Sequence, residues 1–435
     1  MRFASIHTLG CRLNRADSDL IADSLRRAGF CVVDWGEPAD LVVINGCVVT
    51  SEADRKTRRA ARAARRANPD AFVVLAGCAA ESAAGDVPVD LPVDLVLPNV
   101  AKSAIAHHLP ALLRRSVACA PRVIAAEPRA EAFVESGTAF PRGRTRANVK
   151  IQEGCDFCCT YCIVPHVRGA PRSRDRADVL REVSELVEMG VQELVLTGVH
   201  TSLYQSSAGG LTELIDAILS LDQGVRVRVS SLEPGPEIEP LIERMASEPR
   251  ICRFLHLPVQ HADDGVLERM GRRTGFAEFA QLVTRAAEAV PGICLGTDLI
   301  VGFPGEDERA FETCRKRIAG LPLGLMHVFP FSPRPGTPAA TFAARPSKAV
   351  VDERRREMLN LAEAKAADFA RSQVGCEVRV LIEKSSTSEG SEGWSGNYLR
   401  VRLDEAWVRS NRLIDVRVTD VLDGRVVRGR ALKFT

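Results

Sequence analysis

Gly154-Cys155-Asp156-Phe157-Cys158-Cys159-Thr160-Tyr161-Cys162 places four thiols within eight residues, and what holds those sulfurs decides which fold surrounds them. Two three-thiol sets are available. Cys155, Cys159 and Cys162 give C-x3-C-x2-C, whereas Cys155, Cys158 and Cys162 give C-x2-C-x3-C. All four together would make a zinc set, although adjacent ligands such as Cys158 and Cys159 are awkward for one tetrahedral ion. With 13 Cys in 435 residues, a given three-thiol spacing arises by chance in roughly one such chain in a hundred. The stretch is informative, and spacing alone leaves the three sets open.

Downstream of it, the pattern alternates between two periods. Helices are expected at 176–189, 211–221, 238–247, 276–289 and 308–319, with strands at 193–197, 225–230, 254–257, 294–301 and 325–329. Repeated βα units predict a barrel or an open α/β sheet with function at the carboxyl ends of the strands. The Cys stretch directly follows the first of those strands, at 148–152, and so belongs on the functional rim. A Pro-rich crossing at 333–346 and a charged helix at 348–372 close this unit, which is expected to span 147–372.

Upstream, residues 1–118 show short apolar runs at 3–9, 31–35, 41–45, 71–76 and 95–98, separated by helical stretches. This is the pattern of a doubly wound parallel sheet covered on both faces. Cys11, Cys47 and Cys78 each come one or two residues past an expected strand end, directly after Gly10, Gly46 and Gly77. In a parallel sheet those ends share the edge where ligands bind, and a glycine lets the backbone turn sharply there. Three thiols remote in sequence are thus expected to converge as ligands. Cys31, Cys119, Cys252, Cys294, Cys314 and Cys376 lack this context and read as packing. The arginines of 55–66 recur at helical spacing and read as a solvated face, with phosphate contact the lesser option.

Residues 119–146 lose periodicity and read as a linker. Residues 373–435 alternate apolar and polar side chains in strands at 377–383, 398–403, 414–418 and 426–431, the pattern of a small antiparallel β-barrel of the kind that binds oligonucleotides or caps a larger unit. Lys plus Arg, 58, nearly balances Asp plus Glu, 56, so any nucleic-acid surface is a local patch. Aromatic residues at 5% argue against a stacking platform for single strands. With no apolar run approaching a membrane span and no leader pattern, a cytoplasmic, non-membrane protein is expected. In a reducing compartment an odd cysteine count favours ligation or buried thiols over disulfides.

On these residues the chain resembles the radical S-adenosylmethionine methylthiotransferases over essentially its whole length. Cys155, Cys159 and Cys162, with Tyr161 before the last, resemble the family's cluster loop, which leaves Cys158 a non-ligand. Cys11, Cys47 and Cys78 resemble the ligands of its second cluster, and 373–435 resembles its RNA-binding TRAM barrel, an OB-like fold. The family's Asn-Thr-Cys is here Asn45-Gly46-Cys47, which departs in the local hydrogen bonding while keeping the ligand. Leu196-Thr197-Gly198-Val199-His200 and Ser230-Ser231-Leu232-Glu233-Pro234 resemble the branch acting on threonylcarbamoyladenosine beside the tRNA anticodon. The sister branches, for isopentenyladenosine in tRNA or an aspartate of a ribosomal protein, are the alternatives, and a zinc-containing RNA-binding protein is the non-enzymatic one.

The resemblance implies an α/β chain with a central partial (β/α) radical barrel carrying two 4Fe-4S clusters. Each cluster is held by three thiolates in this family; the open iron of the first takes S-adenosylmethionine for cleavage to a 5′-deoxyadenosyl radical, and the second presents a sulfur that another S-adenosylmethionine methylates before transfer. It further implies the anticodon stem-loop of tRNA as partner and a low-potential donor such as flavodoxin or ferredoxin. Tyr161, Thr197, Gly198, Ser231, Glu233 and Asp298 are the candidate cofactor contacts. His200, His256 and His261 read as structural, Gly302-Phe303-Pro304-Gly305 as a tight turn, and Arg168, Arg172 and Arg174 as candidates for phosphate contact.

Overall fold

The computed structural model describes residues 2–83, 91–102, 105–109, 122–124, 132, 133, 135, 138, 144–222, 224–386, 390–405 and 408–432. Its first sheet has the order Phe30–Val33, Arg2–Thr8, Leu41–Gly46, Phe72–Gly77, Leu95–Val96, Arg122–Val123, with every pair parallel. The two central strands are buried along their whole length, as their nearly continuous apolar sequences require, and the one polar side chain among them, Asn45, is buried too. Successive residues of Leu41–Gly46 face opposite ways. Val42 and Ile44 pack with Ala60, Ala61 and Ala64 of the helix Ser51–Ala67, while Leu41 and Val43 pack with Ile21 and Leu25 of the helix Arg12–Arg27. The sheet is therefore doubly wound, as its alternation predicted.

The sixth strand, Arg122–Val123, falls inside the segment expected to be linker, as does Ala132–Phe133, which pairs with Arg172–Arg174. Two-residue strands carry too little pattern to be read locally. Most of the expected linker, including Cys119, lies outside the described residues.

The central unit is a partial barrel of two parallel arcs. One runs Arg226–Val229, Glu193–Thr197, Arg146–Lys150; the other runs Phe254–His256, Cys294–Val301, Leu325–Pro330. A single apolar cluster fills it, drawing Leu194, Leu196 and Val227 from one arc, Leu255, Leu295 and Leu299 from the other, and residues of the covering helices. Helix starts are fixed locally: Asp175, Asp307 and Ser347 each accept a backbone N–H from the first turn of the helix they precede.

The C-terminal strands close into a barrel in the order Glu377–Ser386, Gly390–Ser395, Arg400–Leu403, Val426–Ala431, Leu413–Asp423. Gly390–Ser395 was not expected, because its Gly, Ser and Glu residues have poor strand propensity; its alternate residues are nonetheless buried. This barrel rests on the first arc through two arginines. Arg226 donates to the carbonyls of Arg379 and Trp394 at 2.8 and 2.9 Å, and Arg228 to those of Ser395 and Gly396 at 3.1 and 3.0 Å. Both pair with buried Glu193. Burial alone would raise that carboxyl, but the two guanidiniums outweigh it and keep it ionised. No helix among the described residues is long and apolar enough to cross a membrane.

Candidate functional site

The N-terminal thiols meet at the carboxyl edge of the first sheet. Gly10 adopts φ +100°, and a Cβ there would lie 2.7 Å from Cys47 Cβ and 3.0 Å from its Sγ, so the turn carrying Cys11 closes directly onto Cys47. The departure at Gly46 also has a local reason. A Cβ on Gly46 would meet Thr57 Cγ2 at 2.4 Å, and the Thr57 hydroxyl accepts the Cys47 N–H at 3.1 Å while donating to Ala53 O at 2.9 Å. The hydroxyl thus comes from the following helix. Cys78 begins the helix Cys78–Ala83 directly after the strand Phe72–Gly77.

The Cys-rich loop is pinned from three sides. Cys155 N–H donates to Gly169 O, Thr160 N–H to Met270 O and Ala339 N–H to Thr160 O, at 2.8 to 3.0 Å. Phe157 N–H points at Cys155 Sγ at 3.3 Å. A cavity of about 730 Å³ is lined by Cys11, Cys47 and Cys78 on one side and Cys155, Cys159 and Cys162 on the other. Cys158 is absent from that lining and is exposed, with its thiol 3.7 Å from Asp156 O.

Burial pushes Cys47 and Cys162 up to about 12 and Cys155 up to about 11, and raises Cys78 as well. Thiols in such a place ionise only against a compensating cation. All six have thiolate chemistry, the donor type that holds iron-sulfur clusters, three to a group. Two thiolates on one zinc stand about 3.8 Å apart. Among the described residues, the trio of donor atoms within 4.8 Å of one another is His256, Asp298 and His327, with no cysteine set among them. The donor set fits clusters better than a mononuclear ion.

Two buried guanidiniums approach the sulfurs. Arg168 ends the helix Val164–Arg168, which starts two residues after Cys162, and its Nε donates to Cys78 Sγ at 3.3 Å. The same side chain donates to Glu153 Oε1 and Asn14 Oδ1 at 2.6 Å and to Asp17 Oδ2 at 3.1 Å. Lys102 and Lys150 complete this network. Burial opposes ionisation of Asp17, yet Lys102, Lys150 and Arg168 together bring it down to about 2. Arg272 lies 3.7 Å from Cys159 Sγ through Nη1, while its Nη2 donates to Glu233 Oε2 at 2.5 Å and Pro258 O at 2.7 Å. Phosphate contact is therefore corrected for the arginines after the loop: Arg168 and Arg174 are buried in ion pairs and Arg172 is paired with Glu153.

Of the remaining candidates, Tyr161, Gly198, Ser231, Glu233 and Asp298 line the cavity. Thr197 does not; it is fully buried beneath the wall. Gly198 has a packing reason of its own, since a Cβ would stand 2.9 Å from Gln152 Oε1, the atom that accepts the N–H groups of Val199 and His200 at 3.0 and 2.8 Å. Asp298 Oδ1 is shared by His256 Nε2 and His327 Nδ1, each at 3.0 Å. His261 bonds buried Glu306 at 3.1 Å, the structural role expected of it. Of the cysteines read as packing, Cys252, Cys294 and Cys314 are buried, Cys31 is half-buried and Cys376 is exposed. Arg12, Arg272, His327 and Tyr398 also line the cavity, and no local motif announced them.

Residues 149–318 match the Radical SAM superfamily and residues 4–98 match Uncharacterized protein family UPF0004. The chain is 33% identical to the threonylcarbamoyladenosine tRNA methylthiotransferase MtaB of Bacillus subtilis, over 96% of this chain and 94% of the relative. It is 32% identical to the protein of the same name from Thermotoga maritima, covering 99% and 98%. It is 34% identical to a tRNA-2-methylthio-N(6)-dimethylallyladenosine synthase of Cereibacter sphaeroides, covering 95% of each. In fold it is similar to the radical S-adenosylmethionine methyltransferase TsrM of Kitasatospora setae, solved with cobalamin and a [4Fe-4S] cluster bound, at TM-score 0.58 and 18% identity over 78% of this chain and 77% of that one. Full-length kinship at this level, together with two groups of three thiols around one cavity, makes the chain a member of the radical S-adenosylmethionine methylthiotransferases, enzymes of S-adenosylmethionine and 4Fe-4S clusters.

Proposed function

We propose that this enzyme converts N6-threonylcarbamoyladenosine beside the tRNA anticodon into its 2-methylthio derivative. The observation that carries the reading is the convergence of two thiol trios, from two separate α/β units, on one cavity of about 730 Å³. Cys155, Cys159 and Cys162 hold one 4Fe-4S cluster, and Cys11, Cys47 and Cys78 hold the other. When bound, these groups supply reductive cleavage of S-adenosylmethionine to a carbon radical and the sulfur that is methylated and transferred.

The chain's own residues orient and seclude. Arg272 and Glu233 make the wall beside Cys159, and Tyr161, Gly198, Ser231 and Asp298 complete the cofactor pocket, with Thr197 supporting it from beneath. Phe157, Ile163, Phe254 and Phe331 line the same space and keep it poor in water. Units 1–118 and 147–372, joined by 119–146, carry one trio each, and 373–435 receives the RNA as a TRAM-like barrel. The anticodon stem-loop is the substrate, a flavodoxin or ferredoxin of low potential the reductant, and the cytoplasm, where tRNA is found, the place of action.

Relatives named for threonylcarbamoyladenosine support the nucleoside, and the Cereibacter relative, at similar identity, supports dimethylallyladenosine as the second reading. Nucleoside mass spectrometry of tRNA from a strain lacking the gene is expected to show loss of the methylthio-threonylcarbamoyladenosine peak; an unchanged peak refutes the choice. Anaerobic reconstitution is expected to load about eight irons per chain. Changing either trio to Ala should halve that load, and loss of a single cluster's worth on changing all six refutes the ligand assignment.

A further inference from the structure

Three guanidiniums line the cavity, and two of them are neutralised by protein carboxylates: Arg168 by Glu153 and Asp17, and Arg272 by Glu233. The cavity's His256 and His327 share Asp298. Arg12 is different. It follows Cys11, lines the cavity and, among the described residues, pairs with no carboxylate. One of its five N–H donors is used, Nη2 donating to the Tyr398 hydroxyl at 2.6 Å, and its guanidinium carbon lies 5.7 Å from that ring's centroid.

Tyr398 reaches the cavity from the C-terminal barrel. It takes the left-handed backbone, φ +67°, stacks on Phe254 at 4.4 Å and 15°, and has Arg228 over its ring at 5.1 Å. The phenol therefore steadies Arg12 without neutralising it. A half-buried guanidinium with its charge unspent, fixed inside a cavity, is an anion receptor.

We propose that Arg12 binds the carboxylate of the substrate's threonylcarbamoyl group and so selects this nucleoside over one bearing a dimethylallyl group. The inference rests on the tRNA reading above and deepens it. A threonylcarbamoyl group has a free α-carboxylate and a hydroxyl, whereas a dimethylallyl group is an uncharged hydrocarbon. On adenine, the carbon that receives sulfur, C2, and the substituted N6 lie on one edge of the ring, with N1 and C6 between them. A base whose C2 faces the sulfurs of Cys11, Cys47 and Cys78 extends its N6 group along the wall that carries the residue after Cys11. A carboxylate there completes a charge-assisted pair. A dimethylallyl group there leaves the guanidinium facing hydrocarbon and stripped of water, so one residue supplies both the attraction and the rejection.

The test uses the reconstituted holoenzyme on synthetic anticodon stem-loops carrying threonylcarbamoyladenosine, its carboxylate methyl ester, or dimethylallyladenosine. Wild type is expected to lose about 10- to 100-fold in kcat/KM from acid to ester, the range of a charge-assisted bond. R12Q is expected to lose a similar factor on the acid and to show no further loss on the ester, and R12K to keep part of the activity. A purely structural role for Arg12 would depress acid and ester alike, so the coupling between side chain and carboxylate separates the two. Wild type acting equally on acid and ester, or R12Q falling equally on both, or R12Q keeping full activity on the acid, overturns the inference and leaves the nucleoside assignment standing. Wild type turning over dimethylallyladenosine and not the acid overturns both.

Discussion

Asp19, on the helix Arg12–Arg27, sits where burial raises its carboxyl to about 6, ahead of the opposing pull of Arg144 and Arg15. Its ordinary value is 3.8. Between those two values the unfolded chain has lost this proton and the folded one has kept it, so this group's contribution to stability falls as pH rises from about 4 to about 6. The loss totals about 3 kcal/mol at 1.36 kcal/mol per unit and persists above that window. Asp19→Asn is expected to remove this component, seen as a flatter dependence of urea-melt stability on pH in the variant than in the wild type across that range. An unchanged slope would mean that Arg144, bonded to Asp19 at 2.9 Å, already holds it ionised. At this scale the thiols that line the cavity were legible: Cys11, Cys47 and Cys78 through a Gly-Cys step at a strand end, and the stretch 155–162 through its density of cysteines, with the resemblance choosing three of its four. Arg12 and Tyr398 were not. They are 386 positions apart, and their contact exists only once three units have assembled.

Among elements, long helices were read almost to the residue: Leu211–Leu221, Phe276–Ala289, Glu308–Ala319 and Lys348–Ser372 lie where the period of 3.6 put them. Arg172–Arg174 and Gly390–Ser395 escaped notice for physical reasons. The first is a three-residue strand made by pairing with Gln152–Glu153, and the second is held by its neighbours despite its composition. The strand Arg226–Val229 does work that its sequence conceals, since Arg226 and Arg228 point out of the arc to hold barrel carbonyls. Arg228→Ala removes two such bonds and half of the cover on Glu193, a change of about 3 kcal/mol at a buried charged pair. Amide exchange in Gly390–Ser395 and Arg400–Leu403 is expected to quicken by about 100-fold, while Leu211–Leu221 holds its protection. Uniform quickening in both places would mean that the arginine supports the whole fold.

For the whole molecule, the repeated βα units, the doubly wound sheet and the C-terminal barrel followed from period and order of elements, and the resemblance chose a partial barrel over an open sheet for the central unit; their mutual placement did not follow, because it rests on buried ion pairs between distant positions. The most consequential is the one that ends the helix Val164–Arg168. Five residues of helix span about 7 Å, and this short piece runs from just past Cys162 to the guanidinium touching Cys78. A pulsed electron-paramagnetic-resonance distance between the two reduced clusters is expected to stay the same, within about 1 Å, when a tRNA anticodon stem-loop is added; a shift of several ångströms would show that the sheet and the arcs move apart. Opening that seam would strand Asp17 without Arg168 and Lys150, at a cost of about 3 to 5 kcal/mol. The enzyme therefore behaves as a fixed-gauge slot and not as a jaw: the width that an incoming base must span is set by the polypeptide before any RNA arrives, and fitting it is left to the RNA, which must unstack and turn its own nucleotide outward.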